Sequence, residues 1–343
     1  MNTPRMDAPA NPPRIAVLVP CYNESLTVGK VVADFRRALP GADVYVFDNA
    51  SSDGTAALAR SAGARVRHVH AQGKGHVVRR MFADVDADVY VMVDGDDTYD
   101  AATAASLVQA ILDGDDMVVG MREAVVAQAY RAGHATGNVL LTWFLGWLFG
   151  RDCEDILSGY RAFSRRFVKS FPARSEGFEI ETELTVHALE LRMPTSEIAT
   201  PYRERPVGSV SKLSTWRDGF RILGTMLRLF GTERPVAFYG AISAVAVALA
   251  LGLGLPLVST FLETGLVPRI PTAVLVTTLI VISVLSMLVG LVVDSVSRAR
   301  KEAKALAYLG CPGLPVAQAG ATCVDEPSKA ATLASTNQGN GCR

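Results

Sequence analysis

The chain has 343 residues, which is enough for one medium-sized domain with additions or for two small domains. Its 34 lysines and arginines balance 34 aspartates and glutamates, so its charge does not favour a general nucleic-acid-binding surface and no nucleic-acid partner is expected. The five cysteines form no CxxC pair, which is typical of reduced thiols in the cytosol. Residues 1–13 have no apolar core and predict a short disordered lead rather than a secretory signal.

From residue 14 to residue 122, short apolar runs alternate with segments of helical spacing. The predicted strands are 14–20, 44–48, 66–71, 89–94 and 116–122. The predicted helices are 24–39, 55–62, 75–85 and 101–114, the last with Asp100 as its N-cap. Because the runs are apolar on both faces, they predict an α/β fold whose mostly parallel sheet carries helices on both sides.

Polar side chains gather where the predicted strands end. Those ends carry Asn23, Glu24, Asp48, Asp94, Asp96 and Arg122. Ligands of parallel sheets bind at the carboxyl ends of the strands. The sequence therefore predicts a binding site at this rim.

The last third of the chain predicts membrane attachment. Residues 214–234 interleave aromatic and leucine residues with arginines, which favours an amphipathic helix lying on the membrane surface. Two apolar runs, at about 236–262 and 270–293, are each long enough to cross a bilayer. Arginine and lysine flank the outer ends of this predicted transmembrane hairpin, so the positive-inside bias places the preceding domain and both termini in the cytoplasm.

A shorter apolar run, 137–150, reads GNVLLTWFLGWLFG and is too short to span a bilayer. A buried core helix and an interfacial helix both fit it, because tryptophan favours the headgroup level. The predicted organisation is a lead at 1–13, a domain at 14–213, a juxtamembrane helix at 214–234, two transmembrane helices within 235–297, and a basic segment with a disordered tail at 298–343.

The stretch VMVDGDDTY, 91–99, breaks from an apolar run into an acidic turn. Asp94 and Asp96 are spaced so that they can share a hard divalent cation, Mg²⁺ or Mn²⁺, whose shell substrate phosphates and water complete. An acidic DxD pattern is common in loops, so its neighbours decide the interpretation. QGKGHVVRR, 72–80, fits neither the dinucleotide-binding GxGxxG pattern nor the P-loop pattern.

Four motifs in order, PCYNES (20–25), DNASSDGT (48–55), QGKGHVVRR (72–80) and DGDD (94–97), resemble those of family-2 glycosyltransferases of the Rossmann-like GT-A fold. The resemblance covers about residues 14–230. It implies that the nucleotide-sugar pocket is lined by Pro20, Tyr22, Asn23, Glu24, Asp48, Asp53, Lys74 and Asp94. Asp48 would meet the base or ribose, and Asp96 would be the main ligand of the metal that holds the diphosphate.

Three later stretches, DILSGYRAFSRR (155–166), FEIETELTVHALE (178–190) and ERPVGSVSKL (204–213), are similar to polyprenyl-phosphate sugar synthases. The last two look most like dolichyl-phosphate glucose synthases. This resemblance implies that Arg122, Arg131 and Lys212 bind the lipid phosphate, and Arg161 matches some members only. The residues implied as catalytic are Asp94, Asp96, Arg122 and Arg131. Many members of the family have a glutamine that would contact the metal at the position of Thr98. In this sequence, either Thr98 or the preceding Asp97 would therefore complete the coordination shell of the metal.

The expected reaction moves a hexose from a nucleotide sugar, UDP-hexose before GDP-mannose, to polyprenyl phosphate at the cytoplasmic membrane face. Because the second pKa of a phosphomonoester is about 6, the acceptor phosphate is already largely ionised at neutral pH and needs no protein base. A glutamate at 179, 181 or 183 acting as base would instead indicate a hydroxyl acceptor on a glycolipid or lipid-linked glycan. A non-catalytic membrane scaffold is a third alternative. Association into homo-oligomers through the hairpin stays open.

Overall fold

A computed structural model describes residues 12–124, 143–144, 146–148, 155–177, 179–203, 224, 226–267 and 269–313. Seven strands of the described chain form one sheet. They are β1 (Ile15–Cys21), β2 (Asp43–Asp48), β3 (Arg65–His68), β4 (Val89–Met92), β5 (Met117–Ala124), β6 (Arg161–Ser164) and β7 (Thr195–Tyr202). Their order across the sheet is β3-β2-β1-β4-β6-β5-β7.

Most strand pairs are parallel, as predicted, and the antiparallel exception is β6. This strand pairs antiparallel with both β4 and β5 and so separates two strands that run in the same direction. β5 also pairs in parallel with β7. Because β4 and β5 are both antiparallel to β6, their carboxyl ends lie at the same rim of the sheet. The predicted concentration of polar side chains at one rim is therefore geometrically possible.

Helices cover both faces of the sheet. Their bounds are α1 (Val28–Ala38), α2 (Thr55–Ser61), α3 (Lys74–Asp84), α4 (Ala104–Leu112), α5 (Arg165–Ser170) and α6 (Ile180–Glu190). On one face of the sheet, α1, α2 and α4 pack in a core that includes Val17 and Val19 of β1. On the other face, α3, α5 and α6 pack in a second core that includes Ala16 and Leu18 of the same strand. Asp100, the predicted N-cap of the fourth helix, instead caps a short 3-10 turn that directly precedes α4. Its side chain accepts a hydrogen bond from the Ala102 N–H.

Two long helices follow, α7 (Pro235–Thr264) and α8 (Ile270–Leu309), of 30 and 40 residues. Both are long and apolar enough to cross a membrane, and most of their apolar side chains are exposed. They pack against each other through small residues, and the Ser243 and Ser283 hydroxyls are 2.8 Å apart. Close helix packing through small and hydroxyl side chains is typical of membrane helices. The predicted hairpin is thus present as a candidate pair of spans.

The second candidate span does not stop at its predicted end near residue 293. α8 continues to Leu309, and its last turns contact the sheet domain. Lys304 Nζ lies 2.6 Å from Glu190 Oε2, and the Tyr308 hydroxyl donates to Asp116 Oδ2 at 2.7 Å. The predicted basic segment is therefore helical through Leu309, while most of the predicted disordered tail, from residue 314 onward, lies outside the described residues.

The two other predicted apolar helices are described only in part. In the first, Phe144 and Leu148 are buried whereas Trp143 and Trp147 are exposed, so the segment has one buried and one open side. In the second, residues 226–233 are helical. The parts meet where Arg234 donates to the Leu148 carbonyl at 2.7 Å and stacks over the Trp147 ring at 5.2 Å.

Candidate active site

The loops that follow β1 and β2 interlock at the carboxyl rim. β1 and β2 end level with each other, since Cys21 pairs with Asp48 in the parallel register. Asn23 adopts a left-handed conformation with φ 53°, and its side-chain oxygen accepts the Ser52 N–H at 2.9 Å. The Ser51 hydroxyl accepts the Asn23 N–H at 2.9 Å in return. The PCYNES and DNASSDGT motifs are therefore two halves of one structure.

Asp53 fastens the same two loops. One carboxylate oxygen accepts the Ser25 N–H at 3.0 Å and the other accepts the Thr55 hydroxyl at 2.5 Å. Burial raises the pKa of the Asp53 carboxyl, but the hydrogen bonds from Thr55 and Ser25 outweigh it and lower that pKa to about 2. Asp53, expected to line the pocket, therefore holds the two loops together.

Asp48 ends β2 with a carboxylate that is 3% exposed. Its Oδ2 lies 3.2 Å from His68 Nδ1, while His68 Nε2 lies 2.8 Å from an Arg60 guanidinium nitrogen. Because arginine can only donate, Nε2 accepts and Nδ1 carries the proton that Asp48 accepts. The other oxygen, Oδ1, is buried without a hydrogen-bond partner in the described structure. A buried acceptor of this kind matches a donor group on a ligand.

Asn49, which the sequence reasoning did not single out, connects β2 to the GKG turn. Its amide nitrogen donates to the carbonyls of Val69 at 3.0 Å and Ala71 at 2.7 Å. Its oxygen accepts the Gly73 N–H at 2.9 Å. Asn49 directly follows Asp48 in the DNASSDGT motif, and that position is the signal that could have found it.

The glycines of the GKG turn allow another chain segment to pass close by. Gly73 has φ 128°, and a Cβ there would lie 2.2 Å from the Glu176 carbonyl oxygen. A Cβ at Gly75 would lie 2.0 Å from the Ser175 carbonyl oxygen. These two glycines therefore do more than shape a turn, because they hold Lys74 between the sheet rim and the 175–176 backbone.

Lys74 joins two carboxylates. Its Nζ lies 2.6 Å from Asp94 Oδ1 and 2.6 Å from Glu181 Oε1, and the side chains of Lys74 and Glu181 are 9% and 4% exposed. Burial lowers the pKa of the Lys74 ammonium, but the two carboxylates outweigh it and raise that pKa above its ordinary value. Burial raises the pKa of Glu181, and Lys74 opposes that shift. Lys74 and Asp94, both expected to line the nucleotide-sugar pocket, therefore lie in direct contact.

The acidic turn itself is held in place by its neighbours. Gly95 passes over Cys21, where a Cβ would lie 2.6 Å from the sulfur. Asp96 is 3% exposed, and its Oδ1 accepts the Thr98 hydroxyl at 2.7 Å. Asp97, with φ 59°, points to Lys30 Nζ at 2.5 Å. Asp97 is thus committed to Lys30, and Thr98 orients Asp96.

These donors fit Mg²⁺ or Mn²⁺ of the kind that uses few protein ligands. The turn offers the hard carboxylate oxygens of Asp94 and Asp96, and the described residues contain no cluster of three or more His, Cys, Asp or Glu side chains suited to a metal. Mg²⁺ is usually bound by one or two carboxylates together with substrate phosphates and water. The donor set therefore suits an ion that arrives with a phosphorylated substrate.

Arg122 lies near the end of β5, at the same rim. Its Nε and Nη2 donate to the two carboxylate oxygens of Asp155 at 2.7 and 2.6 Å, a bidentate pair. The guanidinium carbon also lies 5.6 Å from the centre of the Tyr202 ring. Asp155 and Tyr202 thus fix the plane of a cation that is 17% exposed. Arg131 and Lys212, the other basic residues expected to bind the acceptor, lie outside the described residues.

Arg161 corrects one sequence expectation. Its side chain is fully buried, donating to the Ser158 carbonyl at 2.9 Å and the Thr185 hydroxyl at 2.8 Å. It also donates to the Ile156 carbonyl. A side chain without solvent exposure is not placed to receive a lipid phosphate. We therefore assign Arg161 to fixing the loop before β6.

Two of the three glutamates of the FEIETE stretch have structural partners. Glu183 accepts the Arg174 and Ser175 N–H groups at 3.0 and 2.7 Å, so it holds the loop that crosses the GKG turn. Glu181 pairs with Lys74, as described above. Because both carboxylates are engaged by neighbouring groups, these contacts do not favour Glu181 or Glu183 as a general base.

Comparison with known proteins adds the family. A model described as "Glycosyl transferase family 2" matches residues 16–169. "Glycosyltransferase AglJ" of Haloferax volcanii is 36% identical over 233 residues, which are 67% of this chain and 77% of that protein. "Dolichyl-phosphate hexose transferase" of the same organism is 30% identical over 220 residues, which are 64% of this chain and 95% of that protein.

A solved structure shares the fold. The crystal structure of glucosyl-3-phosphoglycerate synthase from Mycobacterium tuberculosis matches with a TM-score of 0.52 at 24% identity, over 62% of this chain and 80% of that one. A complex of that enzyme with Mn²⁺, uridine diphosphate and phosphoglyceric acid matches with a TM-score of 0.50 at 22% identity, over 62% of this chain and 78% of that one. These two structures show the fold, and the family model together with the two Haloferax volcanii relatives shows that the chain belongs to glycosyltransferase family 2.

Proposed function

We propose that the protein transfers a hexose from a nucleoside-diphosphate sugar to polyprenyl phosphate at the cytoplasmic face of a membrane. The observation that carries the proposal is the meeting of two kinds of group at one sheet rim. Acidic side chains end β2 and follow β4, and a positioned arginine lies near the end of β5. The relative named "Dolichyl-phosphate hexose transferase" supports the same reaction.

The donor side is formed by the interlocked loops after β1 and β2. We assign the nucleotide to Pro20, Tyr22, Asn23, Glu24, Asp48, Asp53, Lys74 and Asp94. The buried unpartnered Oδ1 of Asp48 is the acceptor for an N–H of the base or a ribose hydroxyl. UDP-hexose is the favoured donor, because the resemblance to dolichyl-phosphate glucose synthases points to it and a fold neighbour was crystallised with uridine diphosphate.

We assign the divalent cation to Asp96 and Asp94. A bound Mg²⁺ or Mn²⁺ would neutralise charge that develops on the departing nucleoside diphosphate. Thr98 holds the Asp96 carboxylate through its hydroxyl, and Lys74 holds Asp94. Both carboxylates are thus oriented before any ligand arrives, which reduces the reorganisation needed during transfer.

The acceptor side is assigned to Arg122, with Arg131 and Lys212 as further proposed contacts. A phosphomonoester is largely dianionic at neutral pH, since its second pKa is about 6, and it attacks the sugar without giving up a proton in the step. The geometry agrees, because the Glu183 oxygens are occupied by backbone N–H groups and Glu181 is paired with Lys74. The chain therefore has to supply cations at the acceptor, and a general base is not required.

Membrane attachment is assigned to α7 and α8. The Arg and Lys residues that flank the outer ends of this pair support a cytoplasmic sheet domain, because loops rich in Arg and Lys favour the cytoplasmic side. The last turns of α8 contact the sheet domain through Lys304 and Tyr308. This contact keeps the sheet domain near the surface where a lipid phosphate is presented.

The acceptor class is tested with purified protein in detergent and a labelled donor. Polyprenyl phosphate is compared with the matching polyprenol and with a glycolipid that offers only hydroxyl groups. We expect a labelled lipid product with the phosphate alone. Labelling of a hydroxyl acceptor but not of the phosphate would replace this proposal with the hydroxyl-acceptor reaction.

A further inference from the structure

Glu181 is a buried charge that the mechanism above does not use. It lies in the first turn of α6, far in sequence from the rim, and it reaches Lys74 at 2.6 Å. Its second oxygen, Oε2, is buried without a hydrogen-bond partner in the described structure. The neighbouring Glu183 accepts backbone N–H groups of the 174–175 loop, whereas the Glu181 side chain reaches Lys74.

Stability alone is a poor reason to keep this arrangement. A buried ion pair is often replaceable by apolar residues with no loss of stability, because desolvation offsets the attraction. An unpartnered buried oxygen adds a further cost. Lys74 also has a carboxylate without Glu181, since Asp94 lies at the same distance of 2.6 Å. A second buried carboxylate on one lysine therefore indicates a role in the site.

The charges around the end of β4 suggest what that role is. Among the described residues, Asp94, Asp96 and Glu181 contribute three carboxylates and Lys74 contributes one ammonium, so these four residues together carry two net negative charges. Asp97 does not add to this charge, because Lys30 is 2.5 Å away. Two negative charges match a divalent cation. Without Glu181, Lys74 would cancel Asp94 and Asp96 would be the remaining negative charge of the group.

We propose that Glu181 is a positioning residue that balances Lys74, so that Asp94 keeps its negative charge for the divalent cation bound with the donor. This inference rests on the proposed function, because it assumes the metal-assisted donor site. Glu181 acts through Lys74 and touches neither the ion nor the nucleotide. The carbonyls of Ser175 and Glu176, which lie against the GKG turn, keep Lys74 between the two carboxylates.

The test compares two matched glutamates on α6. Glu181→Gln removes the charge with little change of shape, and Glu190→Gln does the same at a buried glutamate that pairs with Lys304 at 2.6 Å. Mn²⁺ binding at saturating UDP is measured by calorimetry, and folding is checked by thermal unfolding. We expect Glu181→Gln to weaken Mn²⁺ binding by about tenfold or more, as outer-shell changes at metal sites do. Glu190→Gln should bind Mn²⁺ as the wild type does.

A double variant keeps the test decisive. Lys74→Met with Glu181→Gln removes one charge of each sign, so two net negative charges remain and Mn²⁺ binding should return to within about threefold of wild type. This variant also tests the idea if Glu181→Gln alone does not fold. A folded Glu181→Gln protein with wild-type Mn²⁺ affinity, or a double variant that binds no better than the single one, overturns the inference while the proposed function stands. Failure of the wild type to bind Mn²⁺ with UDP would overturn both.

Discussion

Replacing Asn49 by alanine should weaken both the fold and donor binding. The substitution removes three hydrogen bonds of 3.0, 2.7 and 2.9 Å, to the carbonyls of Val69 and Ala71 and from the N–H of Gly73. Each is worth about 1 kcal/mol net, so the free energy of unfolding should fall by roughly 3 kcal/mol. For a domain of this size that corresponds to a Tm lower by about 6–12 °C.

The measurement is thermal unfolding in detergent, together with calorimetric titration of UDP and Mn²⁺. UDP affinity should fall as well, because the Gly73 N–H that Asn49 holds directly precedes Lys74. Gln109→Ala is the matched control, since its surface amide makes a bond of 2.8 Å to Asp113. The control should change stability by less than about 0.5 kcal/mol. An Asn49→Ala protein as stable as this control, with unchanged UDP affinity, would refute the role of Asn49 as the link between β2 and the GKG turn.

Three further predictions concern stability, each followed by thermal unfolding. Tyr308→Phe removes the hydroxyl that donates to the buried carboxylate of Asp116, just before β5, so Tm should fall by several degrees. An unchanged Tm would mean that the end of α8 does not dock on the sheet domain. The hydrogen bonds to Asp53 lower its carboxyl pKa to about 2. The stabilisation of the folded protein by the ionised Asp53 is therefore fully present above the ordinary carboxyl pKa of about 4, and it is lost as the pH falls through about 2. Asp53→Asn should remove that part of the acid sensitivity, and an identical pH profile would contradict it. Gly75→Ala should strongly destabilise the fold, because the added Cβ would lie 2.0 Å from the Ser175 carbonyl oxygen. Gly29→Ala is the control, and because it has open space around it, it should be neutral or stabilising by up to about 1 kcal/mol. Equal changes in stability for the two variants would refute the close approach of the backbone at Gly75.

Strands β1, β2, β4 and β5 could be predicted because each contains a compact run of apolar residues with a polar break after it. β6 could not, because its four residues, RAFS, begin with a charged side chain that reads as exposed. The buried Arg161 guanidinium donates to the carbonyls of Ile156 and Ser158 in the loop before β6 and to the Thr185 hydroxyl of α6. Sequence spacing does not reveal partners of that kind.

The same limit applies to the site. Asp48, Asp94 and Asp96 could be placed at one rim because strand ends in a parallel sheet share an edge. Glu181 could be noticed as an acid in a helix, but its pairing with Lys74 depends on how α6 packs beside α3. Asn49 stood beside a recognised aspartate, and an amide in a serine- and glycine-rich stretch is typical of an ordinary turn.

The most direct test of the proposed function is metal-dependent transfer from a labelled donor. Purified protein in detergent is supplied with polyprenyl phosphate, Mn²⁺ or Mg²⁺ and a panel of labelled UDP- and GDP-sugars, with EDTA as one control. Asp96→Ala is compared with Asp43→Ala, which removes a half-exposed carboxylate from the opposite end of β2.

We predict a labelled, mild-acid-labile lipid product with one donor. EDTA and Asp96→Ala should abolish it, and Asp43→Ala should leave it unchanged. A protein that binds nucleotide sugar but labels no lipid phosphate with any donor, or a folded Asp96→Ala protein that retains transfer, would contradict the proposed function.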